Sequence, residues 1–405
     1  MATENKKYIP ALRFPEFQND GEWILTPVGK YYKVQGGFAF RSSEFKKSGT
    51  PIIRISNIPN EGIYIDISNS VYYDRIENEV NFLISKGDLL IAMSGATTGK
   101  TAVYNQIGKA YLNQRVGLFK STNSHNYYPF ICQWVKSNYF YAQLKRTLAA
   151  GAQPNISSKD IESFIWAYPN GKNSFAEQKK IADCLSSLDK YIDATKRKLV
   201  QLKEHKKGLM QRLFPAKGKT TPELRFPEFQ NDGEWIPRPL SDILNYEQPT
   251  PYIVEDDTYK KEGTPVLTAN KGFILGYTDE SFGIYSKLPV IIFDDFTTDK
   301  KYVDFSFKIK SSAMKLLTLK DEERDNLRFI FECMTNIVFE EKEHKRYYIS
   351  EYQHINIYVP SSLQEQNQIA DTLLSVDKQI SEYDKKIKAL ELHKKGLMQQ
   401  LFPKL

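Results

Sequence analysis

The chain has 405 residues, enough for two or three domains with their own buried cores. At 41% apolar and 26% charged residues it has an ordinary globular composition, and no run approaches the ~18 to 20 apolar residues of a membrane span. A net charge of +7 suits a polyanionic partner, while Cys132, Cys184 and Cys333 lie too far apart in sequence for a disulfide framework or a CxxC metal site. The first 25 residues hold no apolar signal core, so the expected location is the cytoplasm.

In chain order, the first feature is an opening segment, Leu12 to Ile24, reading LRFPEFQNDGEWI. The same 13 residues return without change at Leu224 to Ile236. Between the copies, Pro51 to Ser56, Asp88 to Met93 and Arg115 to Phe119 read as short strands, and one helix is expected near Tyr127 to Leu148. A long helix follows. Ser174-Phe-Ala-Glu177 fits a capping box, and apolar residues then recur at spacings of four and three: Ile181, Leu185, Leu188, Ile192, Leu199, Leu202, Leu209 and Leu213. Thr195 and Lys206 fill the gaps in this register, and Pro215 ends it.

After the second opening segment, Thr264 to Thr268, Leu288 to Phe293 and Ser312 to Leu317 read as strands, with one helix near Glu322 to Glu343. Ser362-Leu-Gln-Glu365 then opens a second long helix with the seam Ile369, Leu373, Val376, Ile380, Ile387, Leu390, Leu397 and Leu401. Tyr383 and Lys394 stand in its gaps, and Pro403 ends it. The helical copies Glu177 to Pro215 and Glu365 to Pro403 match at 22 of 39 positions. Gly208 and Gly396 sit inside both registers, which suggests close backbone packing or a bend. Each helix should form a rod of roughly 60 Å. Pairing within one chain about a pseudo-twofold axis would make the two antiparallel; a parallel pair or pairing between chains stays open.

The segments between the repeats share little sequence and differ in charge. Leu25 to Ala176 carries +8 and Pro237 to Gln364 carries −5. Ser94-Gly-Ala-Thr-Thr-Gly-Lys-Thr101 nearly matches a phosphate-binding loop, but Ser94 replaces the first glycine and no helix is expected after it. Asp295 with Asp299-Lys-Lys301 is too short a pattern for a metal nuclease triad. No S-adenosylmethionine loop, Asn-Pro-Pro-Tyr motif or G-x-S-x-G elbow is present, and nothing reads as catalytic.

Taken together, the duplicated opening segments, the paired EQ-x-x-IA helices at Glu177 and Glu365 and the two HKKGLMQ-x-LFP endings resemble the specificity subunit of a type I restriction-modification enzyme. Gly87 to Ile91, Ser94 to Lys100 and Gln153 to Ser157 look like elements of the same family. The resemblance implies an α+β chain with two mixed, strand-rich target recognition domains, separated by two long helices in an intramolecular antiparallel coiled coil with a pseudo-twofold repeat. The expected organisation is the opening segment at 1–24, a first recognition domain at 25–173 and a first repeated helix at 174–215. A linker with the second opening segment follows at 216–236, then a second recognition domain at 237–361 and a second helix at 362–405.

The resemblance also implies a non-catalytic subunit that reads a bipartite asymmetric DNA site and directs adenine methylation and restriction. Its partners would be double-stranded DNA, two methyltransferase subunits docked on the helices, and motor-nuclease subunits. The chain itself would hold no cofactor and no metal, and would not touch a membrane. The residues expected to contact DNA are Arg54, Ser94, Thr97, Thr98, Lys100 and Arg115 in the first domain, and Lys271, Lys300, Lys301, Arg346 and Tyr347 in the second. The second domain lacks an evident counterpart of the Ser94 to Lys100 loop. Two other readings remain: a coiled-coil adaptor whose globular ends bind proteins, and the specificity subunit of a related enzyme that cuts beside its site.

Overall fold

The computed structural model describes residues 8–60, 62–76, 79–149, 154–269, 272–340 and 345–404. By contacts the chain divides into two compact units, 1–198 with 383–405, and 199–382. Both long helices are therefore shared: α4 (Ser174–Leu213) and α7 (Leu363–Leu401) each give one end to each unit.

The first unit opens with β1 (Ile24–Pro27) and β2 (Tyr32–Gly36), followed by β3 (Thr50–Ile53), β4 (Val71–Tyr73) and β5 (Leu83–Ile84). Next come β6 (Leu89–Ala92), β7 (Thr101–Val103), β8 (Ala110–Leu112) and β9 (Val116–Ser121). Helices α1 (Tyr128–Trp134), α2 (Asn138–Ala149) and α3 (Ser158–Ser163) precede β10 (Ile165–Tyr168). One four-stranded sheet has the order β2-β9-β6-β7, another β4-β3-β8-β5, and β1 pairs with β10. All four residues of β6 are buried, as expected of a strand covered on both faces. The single helix expected at 127–148 is broken at Ser137, whose hydroxyl accepts from Phe140 N at 3.3 Å and caps α2.

The second unit contains β11 (Ile236–Pro239), α5 (Leu240–Ile243), β12 (Leu244–Glu247), β13 (Thr264–Leu267) and β14 (Ile274–Thr278). These are followed by β15 (Val290–Asp294), β16 (Lys300–Val303), β17 (Lys308–Ile309), β18 (Met314–Leu319), α6 (Leu327–Thr335) and β19 (Asn356–Val359). Its sheets run β12-β18-β15-β16 and β14-β13-β17, with β11 on β19. Apart from β5, which has no counterpart among the described residues, the topology repeats that of the first unit, including a parallel pair, β3 on β8 and β13 on β17. Duplication thus extends through segments that share little sequence, because pairing order depends on backbone hydrogen bonds and a buried face, which many sequences supply.

Within each unit the long helices meet antiparallel. In the first, Ile181, Ala182 and Leu185 share a core with Met398, Leu401 and Phe402, and further along Asp189 meets Lys394. In the second, Met210, Leu213 and Phe214 share a core with Ile369, Ala370 and Leu373, and Lys206 meets Asp377 at 2.8 Å. The lysines filling the gaps in the apolar register are therefore ion-pair partners of the opposite helix. Phe402 packs on Trp23 and Phe130, and Phe214 on Trp235 and Phe329, so each LFP ending closes one unit. Burial of one such ring is worth about 1.5–3 kcal/mol.

Two local expectations need correction. Ser362 Oγ accepts from Glu365 N at 3.4 Å, half of the expected capping box, but the Glu177 and Glu365 carboxylates are engaged by arginines. Arg13 donates to both carboxylate oxygens of Glu177, at 2.7 and 2.8 Å, and Trp23 Nε1 adds a third bond at 3.2 Å. Arg225 and Trp235 repeat the arrangement on Glu365 at 2.8, 2.8 and 3.3 Å. A buried arginine demands a carboxylate more than a helix end demands a cap. This also accounts for the fixed opening segment, which supplies both donors. Gly208 and Gly396 are not close-packed either: a Cβ added at either would meet nothing within 4 Å.

Candidate nucleic-acid interface

In the first unit three segments converge at the end of the central sheet. Residues 93–100 close the hairpin between β6 and β7, so the run that nearly matches a phosphate-binding loop leads into a strand and not a helix. Met93 N donates to Arg115 O, and Ile156 N donates to Met93 O, both at 2.9 Å. Those bonds bring together the hairpin, the turn before β9 and the stretch before α3. Gly99 has φ +83°, and a Cβ there would lie 2.1 Å from Leu144 Cδ2, so glycine is needed for both conformation and space.

The six residues expected in this domain all lie on or beside that cluster. Thr98 Oγ1 is hydrogen-bonded to Gly95 O and Pro154 O at 2.6 and 2.5 Å, which ties the hairpin to the 154–157 stretch. Thr97 Oγ1 donates to Ile55 O at 3.4 Å, placing the loop against the turn that follows Arg54. Lys100 reaches Asn60 Oδ1. Arg115 is exposed, with its own N–H on Asn113 Oδ1 at 3.4 Å. Arg54 lies over the Phe45 ring at 5.8 Å. Ser94 Oγ and Arg54 Nε are buried without a hydrogen-bond partner among the described residues. The threonines are thus loop ties, while Lys100 and Arg115 carry the positive charge. Gln153 lies outside the described residues.

The second unit does possess a counterpart of this loop. Four backbone bonds establish it. Thr298 N donates to Asp294 O at 3.0 Å where Gly99 N donates to Ala92 O at 2.8 Å. Asp294 N donates to Asp299 O at 2.8 Å where Ala92 N donates to Lys100 O at 2.9 Å. Asp295 N bonds Ala313 O as Met93 N bonds Arg115 O, and Tyr347 N bonds Asp295 O as Ile156 N bonds Met93 O. The matched bonds span four residues here and seven in the first unit, so the second turn is three residues shorter. Thr298 takes the left-handed conformation of Gly99 with φ +53°, which is costly for a β-branched residue. Thr97 to Lys100 and Thr297 to Lys300 both read Thr-Thr-x-Lys, but the backbone bonds set the two runs one residue out of register, so the shared motif does not give the match.

The register changes the expected contacts. Lys100 is matched by Asp299 and Arg115 by Ala313, so the basic residues of the first site have no direct equivalents. Lys300 turns inward, within 3.2 Å of the Tyr352 hydroxyl and over its ring; burial holds it below the ordinary lysine range, against the pull of Asp299. Tyr347 is also interior, 1% exposed, with its ring against Phe339. Neither side chain is presented for a phosphate or base contact, because both belong to the face that covers the core. Lys301 is half-buried on the next position of β16, and Arg346 is exposed over the Phe296 ring at 6.0 Å. Lys271 lies outside the described residues. Asp294 accepts from Phe296 N and Thr297 N, and Asp295 is buried on Lys315 at 3.2 Å and Tyr348 N at 2.8 Å. These acids organise the turn.

The first unit also has a cavity of about 830 Å³ walled by Lys136, Tyr139, Asp189, Ile192, Lys394 and Met398. Asp189 is buried there between Lys136 and Lys394. Burial alone would raise its pKa, but the two ammonium groups outweigh that and hold it below the usual carboxylate range.

Residues 23–204 match the family model described as "Type I restriction modification DNA specificity domain". The chain is 49% identical over 146 residues, 34% of its length, to the type I restriction enzyme EcoR124I/EcoR124II specificity subunit of Escherichia coli. It is also 24% identical over 200 residues, 48% of its length, to the MjaVIII specificity subunit of Methanocaldococcus jannaschii. These matches span 36% and 46% of the respective relatives, so the chain covers about a third to a half of the curated subunits it resembles. The fold is that of the S subunit of a type I restriction-modification system from M. genitalium, with a TM-score of 0.70 at 14% identity over 98% of this chain and 99% of that one. The specificity-domain match covers the hairpin, the turn and the 154–157 stretch of the first unit.

Proposed function

We propose that this chain is the non-catalytic DNA-reading component of a type I restriction-modification complex. Each unit reads one half of a bipartite, asymmetric site. Methyltransferase chains docked on the long helices would methylate adenines there, and motor-nuclease chains would join for restriction. The observation that carries this reading is the pair of loop clusters, matched bond for bond in backbone and unlike in side chains. A shared frame with different exposed chemistry suits two half-sites of different sequence. Lysines and arginines position the duplex, and groups at the hairpin and the 154–157 or 345–348 stretch reach base edges. The local basic groups Lys345 and Arg346 support the same role for the second unit despite its −5 balance.

The test is co-expression with the methyltransferase chains encoded beside it, followed by sequencing of methylated adenines in host DNA. A single bipartite motif, lost when this chain is omitted, is expected. Exchange of residues 25–176 for those of a relative should change one half of the motif only. The double variant Lys100→Ala with Arg115→Ala should weaken DNA binding by the complex and lower its salt dependence by one or two phosphate contacts. A stable complex that yields no bipartite motif would refute the function, and unchanged affinity of the double variant would refute the two contacts.

A further inference from the structure

We infer that Arg346 is the specificity-determining residue of the second unit and that it reads a guanine. The inference rests on the DNA-reading function proposed above. Arg346 occupies the position matched to Asn155 of the first unit, one residue before the backbone bond that joins its stretch to the hairpin turn. It is exposed, while the next two residues, Tyr347 and Tyr348, are buried and fix the chain that follows it. Two bonds to one residue hold the stretch: Tyr347 N to Asp295 O and Tyr348 N to Asp295 Oδ1, both 2.8 Å. Asp295 is in turn pinned by Lys315, whose ammonium also donates to Gln248 Oε1 at 3.1 Å. The exposed guanidinium is therefore mounted on a buried, charge-anchored support, and its carbon lies over the Phe296 ring, 6.0 Å from the centroid.

A planar cation attracted to a ring on one side keeps N–H donors free for a partner on the other. Such a fork matches the O6 and N7 acceptors of guanine in the major groove, the commonest specific arginine contact. Lys345, beside it, is already paired with Glu351 at 2.6 Å, and Lys300 is turned inward, so among the described residues of this stretch and turn Arg346 is the cation best placed for a base.

The test uses the assembled methyltransferase complex carrying wild-type chain, Arg346→Ala or Arg346→Lys. The half-site assigned to the second unit is the one that survives exchange of residues 25–176. That half should contain one fixed G·C pair, relaxed by both variants to any base pair while the other half stays unchanged. In competition binding, discrimination at that pair should fall on the order of 5- to 150-fold. The lysine variant keeps the charge but loses the fork, so its relaxation separates base reading from simple attraction and covers the case in which the alanine variant does not fold. A half-site with no fixed G·C pair would overturn the inference. So would uniform weakening for all sequences with a smaller salt slope, which marks a phosphate contact. Retained discrimination in the lysine variant would overturn it too. Absence of any bipartite motif with wild-type chain would instead refute the DNA-reading function itself.

Discussion

Replacement of Glu177 by alanine tests how the opening segment is held. In the folded chain Arg13 and Glu177 side chains are 6% and 2% exposed, so the pair is shielded from solvent. Removing the carboxylate takes the counter-charge from the guanidinium, which keeps only its bond to Gly21 O at 2.6 Å, and leaves the Trp23 N–H without this acceptor. Breaking a buried pair on one side costs about 3–5 kcal/mol. The double variant Arg13→Met with Glu177→Leu removes both charges and should recover most of that loss, because the desolvation cost disappears with the pair. Urea unfolding of the intact chain measures the losses, and backbone hydrogen exchange locates them. Protection should fall first around Tyr8 to Trp23 and in α1, which share a core with Trp23. Glu365→Ala should act in the same way on Trp235 and α6. A cost for Glu177→Ala below about 1 kcal/mol, the range of an exposed pair, would refute the argument. So would a double variant that loses the sum of both single changes.

Two further outcomes follow from other sites. Asp189 has a lowered pKa in the folded chain, so its stabilising contribution is fully present above about pH 3.8 and is lost as pH falls through the folded value. Asp189→Asn should therefore lower stability near neutral pH and flatten the acid limb of a stability-versus-pH curve; an unchanged acid limb would contradict the assignment. Gly99→Ala should destabilise by about 2–4 kcal/mol through backbone strain and overlap with Leu144, and adding Leu144→Ala should remove the overlap but not the strain. Thermal unfolding of the two variants reads this, and equal stabilities for Gly99→Ala and wild type would exclude both effects.

The long helices were legible because their signal is local and periodic. A four-three spacing of leucines and isoleucines requires a buried stripe whatever it packs on, and the burial of Ile181, Leu185, Ile369 and Leu373 meets that requirement. The first-domain loop was legible for a similar reason, since glycines and threonines cluster where a turn must form. The second-domain loop was hidden. Its match to the first is made by backbone bonds, and its side chains are acidic, shorter by three residues and led by Asp294 and Asp295. Which way Lys300 and Tyr347 face depends on strand register and on backbone bonds to the turn at Asp294 and Asp295, and neither is written in local composition.

The sequence by itself determined the duplication, the two helices and their lengths, and the first-domain loop. Each of these is written in identity, period or local composition. Only the tertiary structure decided that Glu177 and Glu365 serve Arg13 and Arg225 instead of helix ends, and that Lys394 and Lys206 are answered by Asp189 and Asp377. It also decided that Arg346, and not Lys300 or Tyr347, stands outward on the second loop. The ion pairs share one reason. A charge buried on folding takes the nearest opposite charge in space, and nearness in space is fixed by packing between segments more than a hundred residues apart.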